Sequence, residues 1–172
     1  MVLVFVGCDE ELGVTGYVDA IFNTDPGSSR SQTRYVFMVN GGAVSWRSGK
    51  PPVVAQSTME SEYIAASEAT NEAVWLRKFV IKLGVFPNAI DPVTIFCDNT
   101  GAIANAKEPR SHSIAKHIDR RFHVIREYIQ KGKIKICKVH TDLNVADPLT
   151  KALMNVKHDQ DYDVIDIRLL DL

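Results

Sequence analysis

From Ser57 to Leu83, apolar side chains recur in steps of three and four: Ala66, Ala69, Ala73, Leu76, Val80 and Leu83. That spacing puts them on one stripe of a single long helix. Ser57 or Thr58 can cap its start, Glu60 and Glu62 suit its first turn, and Gly84 is a stop signal. A stripe of that length must be buried against another element.

The flanking sequence supplies strands. Residues 2–6 and 14–21 are rich in Val, Tyr, Phe and Ile, and Met1 to Val6 is too short an apolar run to span a membrane. Asp25 to Ser29 reads as a turn. Tyr35 to Val39 and Ala43 to Arg47 are strand-like runs joined by Gly41-Gly42. Such short connections predict three adjacent antiparallel strands. After the helix, Val93 to Cys97 is a short apolar run, as expected of a strand covered on both faces. Asn99 to Ala106 and Ile118 to Gln130 read as helices, Ile134 to Val139 as a strand and Val145 to Ala152 as a last helix. Met154 to Leu172 shows no period that would predict an element. The order βββαβααβα is a mixed α/β fold.

The chain's 172 residues suit one compact domain with a loose tail. Its three cysteines are odd in number and widely spaced, which argues for a reducing, intracellular setting and against disulfides or a zinc finger. The formal net charge is −1, so bulk charge predicts no nucleic-acid partner. Between Lys107 and Lys135, however, nine basic residues stand against three acids. That segment reads either as a phosphate-facing patch or as a solvated helix face, with Arg120, Arg121 and Arg126 pairing with Glu127 or Asp119.

Four carboxylates sit where this order of elements could bring them together. Asp19 lies in the second strand-like run, Asp98 follows the buried strand at a switch to helix, and Asp147 opens the last helix. The fourth is a choice within the long helix. Glu60 and Glu62 point about 200° apart, and Glu62 falls on the apolar stripe, four residues before Ala66. Glu62 is therefore expected to face the sheet and Glu60 the solvent, with Glu68 and Glu72 as surface acids. Converging carboxylates repel one another, and hard divalent cations relieve that repulsion. Two such ions about 4 Å apart suit an in-line phosphoryl displacement. His140 ends the last strand, where it could relay a proton or help release product, or merely hold the backbone. Asn144 is placed to tether the loop that carries Asp147.

The segments Gly16-Tyr-Val-Asp-Ala20, Arg34-Tyr-Val-Phe37, Gly41-Gly-Ala-Val-Ser-Trp46, STMESEYIAASEATNEAVWLRK, CDNTGAIANAKEPRSHSIAKHI and VHTDLNVADPLTK resemble the ribonuclease H region of copia-type retrotransposon polyproteins, especially those of plants. The resemblance runs from about Gly16 to Leu153. It implies an RNase H-like α/β fold: a five-stranded mixed sheet, strands 1–3 antiparallel, flanked by helices. The corresponding division is 1–13 as an extension or strand, 14–153 as the domain and 154–172 as a tail. The resemblance also implies two Mg²⁺ ions, replaceable by Mn²⁺, held by Asp19, Glu62, Asp98 and Asp147. His140 matches the family histidine only loosely.

The implied activity is endonucleolytic hydrolysis of the RNA strand of an RNA–DNA hybrid during reverse transcription, next to an upstream reverse transcriptase domain. The implied setting is a cytoplasmic virus-like particle or the nucleus. Asn99, Arg110, His112, Lys116 and His117 are the expected nucleic-acid contacts. Departures exist. Ile21 stands where many relatives carry a second Asp, and Arg34 stands where relatives usually have Gly, which is expected to distort a turn. One alternative is a catalytically inactive RNase H-like module that binds nucleic acid or protein. Another is an integrase or transposase core, which the order Asp, Glu, Asp, Asp fits less well.

Overall fold

A computed structural model describes residues 2–3, 13–23, 30–84, 92–108, 120–147 and 167–168. Strand β1 is Val2–Leu3, β2 is Val14–Ile21, β3 is Gln32–Val39 and β4 is Gly42–Gly49. Helix α1 spans Thr58–Leu83, β5 Val93–Cys97 and α2 Thr100–Lys107. A 3₁₀ turn at Arg120–His123 leads into α3, Val124–Gln130, and then β6, Ile134–Lys138, and β7, Ile167–Arg168. Five strands form one mixed sheet in the order β4-β3-β2-β5-β6. Strands β2, β3 and β4 are antiparallel, and β5 runs parallel to both β2 and β6. This is the expected RNase H-like architecture.

The helix predicted from the stripe forms with the predicted ends. Ser57 accepts from the amide of Glu60 at 3.2 Å, and Gly84 closes the helix at φ 68°, where a side chain is disfavoured. Ala66, Ala69 and Ala73 have no exposed surface, so the backbone of α1 lies close to the sheet. Leu83, expected on the buried stripe, is half exposed, as are Trp75 and Phe79. Beneath the helix, Val18, Phe37, Ile95, Cys97 and Ile136 form the sheet side of the main core. Gly16 is required here: a Cβ would sit 2.4 Å from the Phe37 ring.

The opposite face of the sheet carries a smaller cluster of Val36, Met38, Ala43 and Val145, with Tyr17 against it. Side chains alternate along a strand. Asp19 is in phase with Tyr17, and Arg34 with Val36, so both belong to this second face. Arg34 does not distort a turn. It sits within β3, in regular register opposite Asp19.

Several further expectations change. The strands of the antiparallel meander extend beyond the apolar runs, because ladder pairing continues through polar residues. Of residues 2–6 only Val2 and Leu3 are described, and they pair with Ile167 and Arg168, so the 154–172 segment does contain a strand. The Asp25–Ser29 turn and residues 148–152 of the expected last helix lie outside the described residues.

Candidate active site

Glu62 is the centre of the site. It is buried on the first turns of α1, and its Oε1 accepts from the amide of Ala20 at 3.1 Å. Its Oε2 accepts from the Cys97 thiol at 3.9 Å. Burial, followed by the negative charges of Asp19 and Asp98, pushes its pKa up to about 9. Two of the other acids therefore stand close enough to act on it. Burial, then Glu62, pushes the Cys97 thiol up to about 12.

Asp98 follows β5 directly and is half-buried. Its Oδ2 accepts from the Thr141 hydroxyl at 2.9 Å. Ligand atoms of Glu62, Cys97 and Asp98 all lie within 4.8 Å of one another. Asp19 is buried in β2 with Arg34 as its cross-strand partner. Asp147 is linked to β2 at one remove. Its amide donates to the carbonyl of Asn144 at 2.9 Å, and the Asn144 side chain donates to the carbonyl of Val18, next to Asp19, at 2.9 Å. Asp147 itself is 2% exposed. The expected tether by Asn144 is thus formed.

The donor set suits a hard divalent ion. Glu62 and Asp98 offer carboxylate oxygens at mutual reach, with the charge of Asp19 beside them. Burial pushes the Cys97 thiol up, and the carboxylate oxygens are the harder donors of the set.

The other predicted residues take different positions. Asn99 caps α2, its Oδ1 accepting from the amide of Ala102 at 2.9 Å. The His140 side chain is 72% exposed and faces Asp142 at 3.3 Å, one residue before the Thr141 that touches Asp98. Arg110, His112, Lys116 and His117 lie outside the described residues. Arg126 is not a surface cation, and Asp119 lies outside the described residues. Arg126 is buried, donates through Nε to the carbonyl of Asn105 at 3.0 Å, and lies over the Tyr63 ring. Glu127 instead pairs with Lys131.

Two expectations about acids are also corrected. Glu60 is buried, because its carboxylate accepts from the amide of Gln56 at 2.7 Å as the preceding loop folds over the helix start. Glu68 and Glu72 are half-buried and accept from Thr33 and Ser45 at 2.7 Å, tying α1 to β3 and β4.

Sequence reasoning missed Cys97 and Thr141 as neighbours of the acids. The alternation along β5 carried a signal for Cys97, in phase with buried Val93 and Ile95. Nothing local marked Thr141.

No family model matches the sequence. The chain is 40% identical over 151 residues, 88% of its length, to the retrovirus-related Pol polyprotein from transposon TNT 1-94 of Nicotiana tabacum. It is 31% identical over 153 residues to the corresponding polyprotein from transposon RE2 of Arabidopsis thaliana. It spans only 11% and 10% of those proteins. Among solved structures, LC11-RNase H1 from compost aligns with a TM-score of 0.56 at 16% identity, covering 80% of this chain and 91% of that one. The same protein in complex with an RNA/DNA hybrid aligns with a TM-score of 0.54 at 15% identity, covering 79% and 92%. The chain is therefore an RNase H-like domain whose sequence relatives are segments of retrovirus-related Pol polyproteins from plant transposons.

Proposed function

We propose that this chain is a ribonuclease H that hydrolyses the RNA strand of RNA–DNA hybrids within a copia-type retrotransposon polyprotein. The observation that carries this reading is the gathering of acids around buried Glu62: its ligand oxygen lies within 4.8 Å of that of Asp98, and burial first, then the charges of Asp19 and Asp98, oppose its ionisation, which a cation would relieve. Glu62, Asp98, Asp19 and Asp147 are the residues that would hold two Mg²⁺ ions, with Mn²⁺ as a substitute. When bound, such ions activate water and stabilise the leaving 3′ oxygen.

The chain's own residues set the geometry. The Ala20 amide fixes one oxygen of Glu62, Thr141 orients Asp98, and Asn144 ties the Asp147 loop to β2. His140, exposed beside Thr141, is the proposed proton relay at the mouth of the site. Asn99, Arg110, His112, Lys116 and His117 are the proposed contacts to the hybrid. LC11-RNase H1, of similar fold, is seen bound to an RNA/DNA hybrid. The proposed catalytic unit is 14–153, fused in the polyprotein to an upstream reverse transcriptase and working inside the cell.

Cleavage of a labelled hybrid with Mg²⁺ tests the proposal. The wild-type chain is expected to shorten the RNA strand and Asp98→Asn to leave it intact. A hybrid untouched by both proteins would instead establish a non-catalytic binding module.

A further inference from the structure

Arg34 is a buried guanidinium with an unusual neighbour. Its Cα partner across the β2–β3 ladder is Asp19, and side chains of such a pair share one face of the sheet. Both residues are more than nine-tenths buried, and the Nε of Arg34 makes no hydrogen bond. Arginine stays charged in proteins. Asp19 thus feels both the carboxylate of Glu62 and the positive charge of Arg34.

We infer that Arg34 is a resident counter-cation of the acid cluster, one that competes with divalent ions for Asp19 and weakens their binding. The inference rests on the proposed metal centre. Four carboxylates are matched by two divalent ions, and a guanidinium beside them leaves one positive charge in excess. A fixed positive charge on the same sheet face as Asp19 repels a cation held there. Burial pushes the Arg34 pKa down, and the negative charge of Asp19 opposes that shift, favouring the charged guanidinium.

The test is Mn²⁺ binding by the full chain, read from the electron paramagnetic resonance signal of the free ion. Arg34→Gln removes the charge while keeping most of the volume, and it is expected to bind Mn²⁺ on the order of tenfold more tightly than wild type. Arg34→Lys keeps the charge and is expected to stay within about twofold of wild type. An Arg34→Gln variant that binds no more tightly overturns the inference. Asp98→Asn separates the two levels of argument. If it abolishes binding while Arg34→Gln changes nothing, the metal centre stands and the role of Arg34 falls. If neither wild type nor any variant binds Mn²⁺, both fall. A measurement without substitution guards against misfolding: the Arg34 Nε–H resonance is expected to shift as Mg²⁺ is added to wild type, and a resonance that stays fixed at saturation overturns the inference.

Discussion

The side-chain amide of Asn144 donates to the backbone carbonyl of Val18 at 2.9 Å, joining residues 126 positions apart. Through this one bond the loop that carries Asp147 is attached to the strand that carries Asp19. Asn144 is 2% exposed, and its Oδ1 also accepts from the amide of Ala146. Asn144→Ala leaves a buried carbonyl and a buried amide without these bonds, at a cost of about 1–3 kcal/mol. Urea denaturation is expected to show that loss, and hybrid cleavage by the folded fraction is expected to fall with it. Full activity in a destabilised variant would detach the tether from the site.

Glu62 makes the metal-free chain sensitive to alkali. Its folded pKa of about 9 lies above the ordinary value of 4.5, so the folded state holds a proton that the unfolded chain releases. Between those values stability falls as pH rises, and it is restored on acidification. Thermal melts from pH 5 to pH 9 in a chelator are expected to show a declining Tm. Glu62→Gln keeps an oxygen for the Ala20 amide and removes the titration, so its decline is expected to be shallower. An equal slope in both proteins would place the titrating group elsewhere.

Thr141 is a sensitive point for function and an insensitive one for stability. It is exposed, and its hydroxyl holds Asp98 at 2.9 Å. Partners of this kind typically change metal affinity or activity by about 10–100-fold. Thr141→Val is expected to reduce hybrid cleavage within that range while the unfolding free energy stays within about 0.5 kcal/mol of wild type. A cleavage rate equal to wild type rejects the orienting role.

Arg126 should behave in the opposite way. Its guanidinium bonds the carbonyl and side chain of Asn105 and covers Tyr63, joining α3 to α2 and α1. Arg126→Met preserves bulk but abandons those acceptors, and a loss of about 1.5–3 kcal/mol is expected. The specific activity of folded protein should not change. Weakened affinity for the hybrid without loss of stability would return Arg126 to the nucleic-acid face.

The amino-acid order by itself determined α1, its Ser57 and Gly84 ends, the antiparallel meander and the sheet-facing position of Glu62, because helical and strand periods are local properties of backbone geometry. It did not reveal the burial of Glu60 under the Gln56 amide, the anchoring of Glu68 and Glu72 on β3 and β4, or the internal position of Arg126. Each of those depends on a partner from a distant or folded-over segment, which no period encodes. The placement of Arg34 against Asp19 has the same origin: strand register is a relation between two segments, and only the assembled sheet fixes which residue faces which. Sequence therefore named the candidate acids, while tertiary structure decided their neighbours.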